Sequence, residues 1–226
     1  MRWLGLVLAI ALGQAGHAKD WVSLFDGKTL KGWEKRGGTA KFVVEDGVIL
    51  GTGPKRSPNT FLCTKKTYSD FVLELEFKVD AALNSGVQIR GAVYGEDTEV
   101  TKKGGKKKKR HQAGRVRGYQ VEIDPDTTRN RMWTGGIYDE ARRGWLADLS
   151  KNKPARDAFK AGEWNHFRIQ ANGDEIKTWI NGVHAVTLRD SMDASGFIGL
   201  QVHGQGKDKG RAGKQARWRN VRIKEL

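Results

Sequence analysis

DFVLELEFKVD, residues 70–80, alternates apolar and polar side chains over most of its length. Successive side chains of a β-strand point to opposite faces, so this segment predicts a strand with one apolar face and one mainly charged face. The apolar face would carry Phe71, Leu73, Leu75, Phe77 and Val79, and the other face Glu74, Glu76 and Lys78. Such a strand is typical of an antiparallel sheet with one side in the core and one in solvent.

Tight turns separate further strand-like runs along the chain. KFVVEDGVILG, residues 41–51, turns at Asp46-Gly47, and residues 165–188 contain turns at 172–174 and 181–182. These dipeptides are typical of β-hairpins. With 29 glycines, only 4 prolines and almost no helical periodicity, the sequence predicts an all-β sandwich of two antiparallel sheets, a jelly roll. The inner faces would form the core, and a concave outer face would be available for a ligand.

The N-terminus and one central segment stand outside this pattern. Arg2 precedes the short apolar run 3–12 and the small residues 16–18, which predicts a signal peptide over residues 1–18. The alternatives are a buried N-terminal strand or an uncleaved anchor. The remaining residues 19–226 would form the β-sandwich domain, with no integral membrane segment, exported to the periplasm or the extracellular space. Residues 151–162 predict a short helix.

The formal charge of +15 is concentrated in KKGGKKKKRHQAGRVRG, residues 102–118. This tract contains no aromatic residue on which bases could stack, so no nucleic acid partner is expected. We predict a flexible, solvated basic loop over about residues 99–117. The alternative is that residues 102–117 make an electrostatic contact with acidic polysaccharide or another anionic surface.

Few residues carry recognisable catalytic or metal-binding motifs. The single cysteine, Cys63, follows Phe61 and Leu62, which predicts a small buried apolar residue and no intramolecular disulfide. No spacing typical of a metal site, a phosphate loop or a nucleophile elbow occurs in the sequence. The motifs therefore do not identify a metal or its ligands.

Three predicted strands pair an ordinary core face with an unusual polar face. They lie in VQIR (87–90), YQVEID (119–124) and GLQVHG (199–204). Their polar faces would carry Gln88, Arg90, Gln120, Glu122, Asp124, Gln201 and His203. Amide, guanidinium and carboxylate groups suit the recognition of sugar hydroxyls, and several of them titrate. We predict that the three strands share one sheet and line one surface; the alternative is three unrelated solvated faces.

RMWTGGIYDEARRGWL, residues 131–146, brings aromatic and charged residues together around a glycine pair. Aromatic rings on loops and strand ends commonly stack on pyranose rings. The predicted substrate-binding residues of this segment are Tyr138, Glu140, Arg143 and Trp145. Trp133 fits equally well a role in pinning the loop to the body of the domain.

A series of ordered motifs gives the chain a family resemblance. They are WVSLFDGKTLKGWE, NSGVQIRG, GYQVEID, TGGIYDEARRGWL, GEWNHFRI, IKTWINGV, GFIGLQVHG and WRNVRIKEL. Together they cover residues 21–226 and resemble the 3-keto-disaccharide hydrolase domain family. The resemblance implies a concanavalin A-like jelly roll, similar to that of laminarinase- and lichenase-type glucanases. It also implies exported action on 3-keto glycosides, with an oligosaccharide or glycoside as the substrate.

The sequence departs from the glucanases at their catalytic strand. Glu122 and Asp124 match the first two positions of E-x-D-x-(x)-E, but Pro125 follows and the next glutamate is Glu140. Two carboxylates at alternate positions of a strand lie about 7 Å apart. A retaining glycosidase needs about 5–5.5 Å between its pair, so retaining hydrolysis is not expected.

A keto group at C3 offers a different route, because it makes the C2 proton acidic. A base can remove this proton while the C1 oxygen leaves, and water can then add back. The catalytic candidates are Glu122, His203 and Asp124, with Glu122 or His203 as the base. Arg90, with Gln88 or Gln201, could hold the enolate oxygen; so could a divalent metal ion bound by Glu122, Asp124 or His203.

Two rival functions use the same features. A non-catalytic, lectin-like carbohydrate-binding module would use the same concave face without turnover. An interaction domain would attach to cell-surface polysaccharide through the basic loop. Titratable residues on one face favour the enzyme, because a lectin can function with amides and aromatic rings alone.

Overall fold

The computed structural model describes residues 20–81, 83–101, 108–125, 133–204 and 212–226. The strands are β1 (Val22–Ser23), β2 (Trp33–Gly37), β3 (Lys41–Glu45), β4 (Val48–Thr52), β5 (Thr60–Thr64), β6 (Phe71–Val79), β7 (Ser85–Val93), β8 (Thr98–Thr101), β9 (Lys108–His111), β10 (Val116–Ile123), β11 (Ile137–Glu140), β12 (Gly144–Ala147), β13 (Asn165–Asn172), β14 (Glu175–Ile180), β15 (Val183–Arg189), β16 (Phe197–Val202) and β17 (Gln215–Glu225). The helix α1 (Lys153–Ala158) lies within the segment predicted to be helical.

The strands form two antiparallel sheets. The first has the order β15-β14-β13-β6-β17-β4-β3, with β1 also paired to β17. The second has the order β12-β11-β10-β7-β16-β5-β2. Strands β8 and β9 pair only with each other among the described residues. The predicted all-β sandwich of two antiparallel sheets is confirmed.

The local sequence signals explain this arrangement. β6 lies in the middle of the first sheet, with its apolar face buried in the core and Glu74 and Glu76 on the outside. The turns at Asp46-Gly47 and Asn181-Gly182 close hairpins with positive φ at both central residues. Asparagine, aspartate and glycine adopt that conformation most readily, which is why the two hairpins could be predicted.

The core lies between the two sheets. Phe77 and Phe167 of the first sheet pack with ring centroids 4.4 Å apart, and Tyr119 and Leu200 of the second sheet belong to the same core cluster. Cys63 lies in a smaller buried cluster with Phe61, Val116 and Phe197. Burial raises the pKa of its thiol, and no disulfide forms, as predicted. In the described part of the chain, no helix has the length and apolar character of a membrane span.

The basic segment is more ordered than its composition predicts. Lys108–His111 pairs with β8, and His111 is buried with its ring stacked on Tyr94 at 5.6 Å between centroids. Arg110 also forms an ion pair with Asp97 at 2.9 Å. The predicted loop is therefore wrong at residues 99–101, 108–111 and 116–117, which lie in strands, whereas most of residues 108–114 are exposed, as a solvated segment requires. Residues 102–107 lie outside the described residues.

Candidate active site

The three predicted polar strands are neighbours in the second sheet. β10 pairs with β7, and β7 pairs with β16. In this register Gln120 lies opposite Gln88, and Gly86 lies between Glu122 and Gln201. The prediction that these strands share one sheet is confirmed. Gln88, Gln120, Glu122 and Gln201 consequently lie on its outer face.

A relay of amide groups holds Glu122 in place. Gln201 Nε2 donates to Gln120 Oε1 at 2.5 Å, and Gln120 Nε2 donates to Glu122 Oε2 at 2.8 Å. Asn84 Nδ2 donates to the other carboxylate oxygen, Oε1. Both oxygens of Glu122 are therefore oriented by side chains from neighbouring positions of the sheet. Gln88, Gln120 and Gln201 are almost fully buried, so the structure gives Gln120 and Gln201 a positioning role, and direct sugar contacts by the three amides stay a prediction.

Glu122 has the electrostatic environment of a proton-transfer group. It is 6 % exposed, and burial raises its pKa to about 7, while the hydrogen bonds from Asn84 and Gln120 lower it. The charges of Asp124 and Glu140 raise this pKa further. Asp124 follows β10 directly and is itself buried. A carboxyl group whose pKa lies near neutral pH is well suited to accept and release a proton as a general base.

Gly86 makes room for the amide relay, and this gives a first test. A Cβ at position 86 would lie 2.6 Å from both Cγ and Cδ of Gln120. Gly86→Ala should displace Gln120 and remove one hydrogen bond from Glu122. On a 3-keto disaccharide, the substrate that the sequence resemblance implies, we expect kcat/KM to fall at least about tenfold. The matched control is Gly95→Ala, where the new Cβ meets no atom within 4 Å. Equal activity of the two variants would show that the relay does not position Glu122.

The raised pKa of Glu122 also predicts a pH-dependent stability. Folded Glu122 retains its proton up to about pH 7, whereas the unfolded chain releases it near the ordinary glutamate pKa of 4.5. The stabilisation is present below 4.5 and is lost as the pH rises through about 7. Between about pH 5 and pH 8 we expect the wild type to lose about 2.5 kcal/mol more unfolding free energy than Glu122→Gln. Urea denaturation across this range measures the difference, and parallel curves would contradict the raised pKa.

A cavity of about 300 Å³ is lined by Tyr138, Glu140 and His203. Tyr138 lies opposite Gln120 in the sheet, and the charge of Glu140 acts on Glu122, so the cavity opens on the same face within electrostatic range of Glu122. Glu140 accepts a hydrogen bond from Asn59 Nδ2 at 3.0 Å and forms an ion pair with Arg115. Burial raises the pKa of Glu140, and the charge of Arg115 lowers it. Burial and then the charges of Glu140 and Glu122 raise the pKa of Tyr138, so this phenol lies within range of both carboxylates.

The backbone of the next residue, Gly204, orients the His203 ring. Its Nδ1 lies 2.8 Å from the carbonyl oxygen of Gly204. A carbonyl oxygen only accepts, so Nδ1 carries a hydrogen, and Nε2 is the nitrogen that gains or loses a proton. The next residue, Gly204, is held by Asn59, whose Oδ1 accepts from Gly204 N at 2.7 Å.

The hairpin of β8 and β9 forms one wall of this cavity. Val100, Lys109 and His111 of the hairpin line it opposite Glu140 and His203. The hairpin is attached through the stacking of His111 on Tyr94, whose hydroxyl donates to Ala141 O at 3.1 Å. The basic segment therefore supplies residues that line the cavity, although the sequence predicted a solvated loop there.

The aromatic residues of the 131–146 segment cluster at the same end of the second sheet. Trp145 lies edge-on to Tyr138 and to Trp133, with ring centroids 5.4 and 4.8 Å apart respectively. Tyr138 and Trp145 are half-buried, and Tyr138 lines the cavity. Their stacking on a sugar ring stays a prediction.

Arg90 is not on this face, contrary to prediction. Two residues of β7, Arg90 and Gly91, lie opposite the single residue Gly118, which makes a β-bulge with φ of 45° at Arg90. The bulge interrupts the alternation and turns the side chain inward, where it is 1 % exposed. The arginine donates at 2.8 Å to Ser69 O, Gly173 O and Asp70 Oδ1. The predicted approach of Arg90 to Glu122 is therefore wrong.

Arg143 is likewise committed to a structural network. It forms ion pairs with Asp139 and with Asp190, the latter at 2.7 Å. Asp139 is fully buried and also bonds Arg142 Nε at 2.7 Å. Arg143 does not line the 300 Å³ cavity, and substrate binding by this residue stays a prediction.

The sequence prediction missed several residues of the site. Asn84, Asn59, Arg115 and His111 each contact or line it. Arg115 and His111 belong to the basic tract, whose composition concealed them, and Asn59 reaches Glu140 across 81 positions of sequence. For a metal, the described residues contain no group of three or more His, Cys, Asp or Glu side chains placed to hold an ion. Glu122, Asp124 and His203 do not form such a group there.

Fold and site together define a jelly-roll domain of the carbohydrate-active or carbohydrate-binding kind. Residues 20–224 match the family described as the 3-keto-alpha-glucoside-1,2-lyase-like domain. The chain belongs to this family, which confirms the resemblance seen in its motifs. No curated protein matches the chain significantly.

Solved structures with the same fold include both enzymes and binding modules. A protein from Parabacteroides distasonis, provisionally described as a glycosyl hydrolase, has a TM-score of 0.56 at 21% identity, covering 91% of this chain and 94% of that one. A β-1,3-1,4-glucanase (lichenase) from a mouse hindgut metagenome has a TM-score of 0.57 at 12% identity, with coverage of 92% and 100%. The carbohydrate-binding module CBM66 from Bacillus subtilis has a TM-score of 0.51 at 16% identity, with coverage of 86% and 96%. At these identities the similarity establishes the fold alone.

Proposed function

We propose that this protein is an exported enzyme that cleaves the glycosidic bond of 3-keto glycosides, with Glu122 as the base. The observation that carries the proposal is the buried Glu122 carboxylate, which two amides hold and which lies within electrostatic range of Glu140, a residue of the cavity. Membership of a family described as lyase-like supports elimination as the first step.

The elimination step needs one base and one acid. Glu122 takes the C2 proton, the electron pair of the C2–H bond forms a double bond to C1, and the C1–O bond breaks. His203, protonated at Nε2, donates to the departing oxygen. The Tyr138 hydroxyl, which lines the cavity, donates to the keto oxygen as negative charge develops on it.

The addition of water completes a net hydrolysis and restores both catalytic groups. His203 takes a proton from water as the oxygen bonds to C1. The proton on Glu122 exchanges with solvent before water adds, and Glu122 then donates a solvent-derived proton to C2. No co-reactant is required beyond water. Asp124 acts through the charge by which it raises the pKa of Glu122.

The rival proposal is a carbohydrate-binding module that uses the same surface. The aromatic contacts among Tyr138, Trp133 and Trp145 are the observation that favours it, because such rings are common platforms for sugars. A binding module gains nothing from a buried carboxylate whose pKa lies near 7, which is why the enzyme is our preferred interpretation.

Incubation with 3-keto-trehalose, and with trehalose as the matched control, tests the proposal. We expect sugar release from the keto disaccharide alone, because only its C2 proton is acidified by a neighbouring carbonyl. The assay is run over a range of pH, with and without added divalent cations. Binding of the keto disaccharide without turnover in every condition would favour the binding module.

A further inference from the structure

Three cavities meet at the mouth of the site. They have volumes of about 300, 830 and 530 Å³, and all three are lined by Asn59, Lys109 and Arg115. The first also contains Glu140 and His203, so it is the cavity of the proposed catalytic groups. The other two extend from it along the hairpin and along the loop before β5. A saccharide longer than the reacting sugar would occupy them.

The charge of these linked cavities is unbalanced. Their lining includes five cations, Arg56, Lys109, Arg110, Arg115 and Arg142, and two carboxylates, Asp97 and Glu140. Arg110 pairs with Asp97, Arg115 with Glu140, and Arg142 with Asp139 and Asp193. Arg56 and Lys109 make no ion pair with the carboxylates of the described residues, and both are exposed.

The loop that carries Arg56 is held in a fixed shape. Arg56 has φ of 55°, the left-handed region that side chains other than glycine rarely adopt. The next residue, Ser57, accepts a hydrogen bond from Thr39 N at 2.9 Å, and Gly38 N donates to Asn59 O at 3.0 Å. Arg56 and Lys109 line the same 530 Å³ cavity, one on this loop and the other on β9. Two separate, anchored elements therefore present these two cations to one space, and within the described residues neither cation has an ion-pair partner.

We infer that the mouth of the site binds an anionic group of the saccharide, seated between Arg56 and Lys109. The anionic group carries negatively charged oxygens that accept hydrogen bonds from Arg56 and Lys109. It is either the carboxylate of a uronic acid or a sulfate ester. This inference rests on the proposed function for the position of the reacting sugar. It adds that the natural glycoside is acidic in the part that lies outside the cavity of Glu140 and His203.

Binding measurements test this without requiring turnover. Calorimetry would compare three disaccharides that lack the keto group: a neutral one, its uronate counterpart and its sulfate ester. We expect at least one charged disaccharide to bind wild type about tenfold or more tightly than the neutral one, and this preference to weaken as NaCl rises from about 50 mM to about 500 mM. The tighter of the two charged sugars identifies the source of the anionic group.

The variant Arg56→Gln/Lys109→Gln should lose this preference, with the affinity for the neutral disaccharide changed less than about twofold. The control variant Lys78→Gln/Lys224→Gln removes the same charge from the first sheet, away from the three cavities, and should behave as wild type. Equal affinity for the three disaccharides, no binding of the charged two, or an equal loss in the control variant would overturn the inference. Failure of the catalytic proposal would appear separately, as absence of turnover of 3-keto-trehalose.

Discussion

Glu122→Gln is expected to lower kcat/KM on a 3-keto disaccharide by about two orders of magnitude or more, with the fold retained. The substitution keeps the size and planar shape of the side chain but removes the group that would take the C2 proton. Steady-state kinetics with a reducing-sugar assay gives the ratio, and circular dichroism verifies the fold. Glu45→Gln, at an exposed position of β3, is the matched control and should leave turnover unchanged.

The dependence on pH makes this test sharper. Wild-type kcat/KM should rise as the pH increases through about 7, because the base must be ionised and burial raises the pKa of Glu122 to that value. The residual activity of Glu122→Gln should lack this rise. A folded Glu122→Gln enzyme with the wild-type rate would mean that another group, such as His203, takes the proton.

Arg90→Ala is expected to destabilise the protein by about 2–4 kcal/mol, because it leaves the carbonyls of Ser69 and Gly173 without the donor that the buried guanidinium supplies. Ser69 O and Asp70 Oδ1 come from one segment and Gly173 O from another, and the guanidinium links both to β7. Urea denaturation measures the loss. At a temperature where the variant is folded, its KM should stay within about twofold of wild type, since Arg90 faces away from the cavity.

The control for this prediction is a surface arginine. Arg168→Ala removes a half-exposed ion pair with Glu74 on the first sheet and should cost no more than about 1 kcal/mol. A stable Arg90→Ala variant with a greatly raised KM would reverse the assignment, and Arg90 would then be the substrate-binding residue that the sequence predicts.

Strand alternation was sufficient to predict the frame of the site. Tyr119, Val121 and Ile123 lie in the core, and Gln120 and Glu122 lie on the opposite face, as their positions in GYQVEID require. The sequence also indicated that β7, β10 and β16 belong together, because their polar faces shared one chemistry. These predictions succeeded because side-chain alternation depends only on local backbone geometry.

The failures have a common physical origin in features that no local pattern encodes. The bulge at Arg90 and Gly91 inserts one residue into β7, so every assumption about facing direction fails at that point. Arg143 forms an ion pair with the buried Asp139. Asn59 and Arg115 contact Glu140 only in the folded chain. These contacts depend on how distant segments pair in the folded chain, and this pairing cannot be predicted from the sequence of one segment alone.

The most direct test of the account is the fate of the C2 hydrogen during cleavage in D2O. Removal of the C2 proton by Glu122, followed by addition of water, predicts deuterium at C2 of the released 3-keto sugar, detected by proton NMR. Incubation of substrate and of product without enzyme, and with Glu122→Gln, corrects for spontaneous exchange beside the carbonyl. A product that retains its original C2 hydrogen after complete turnover would contradict elimination and, with it, the role assigned to Glu122.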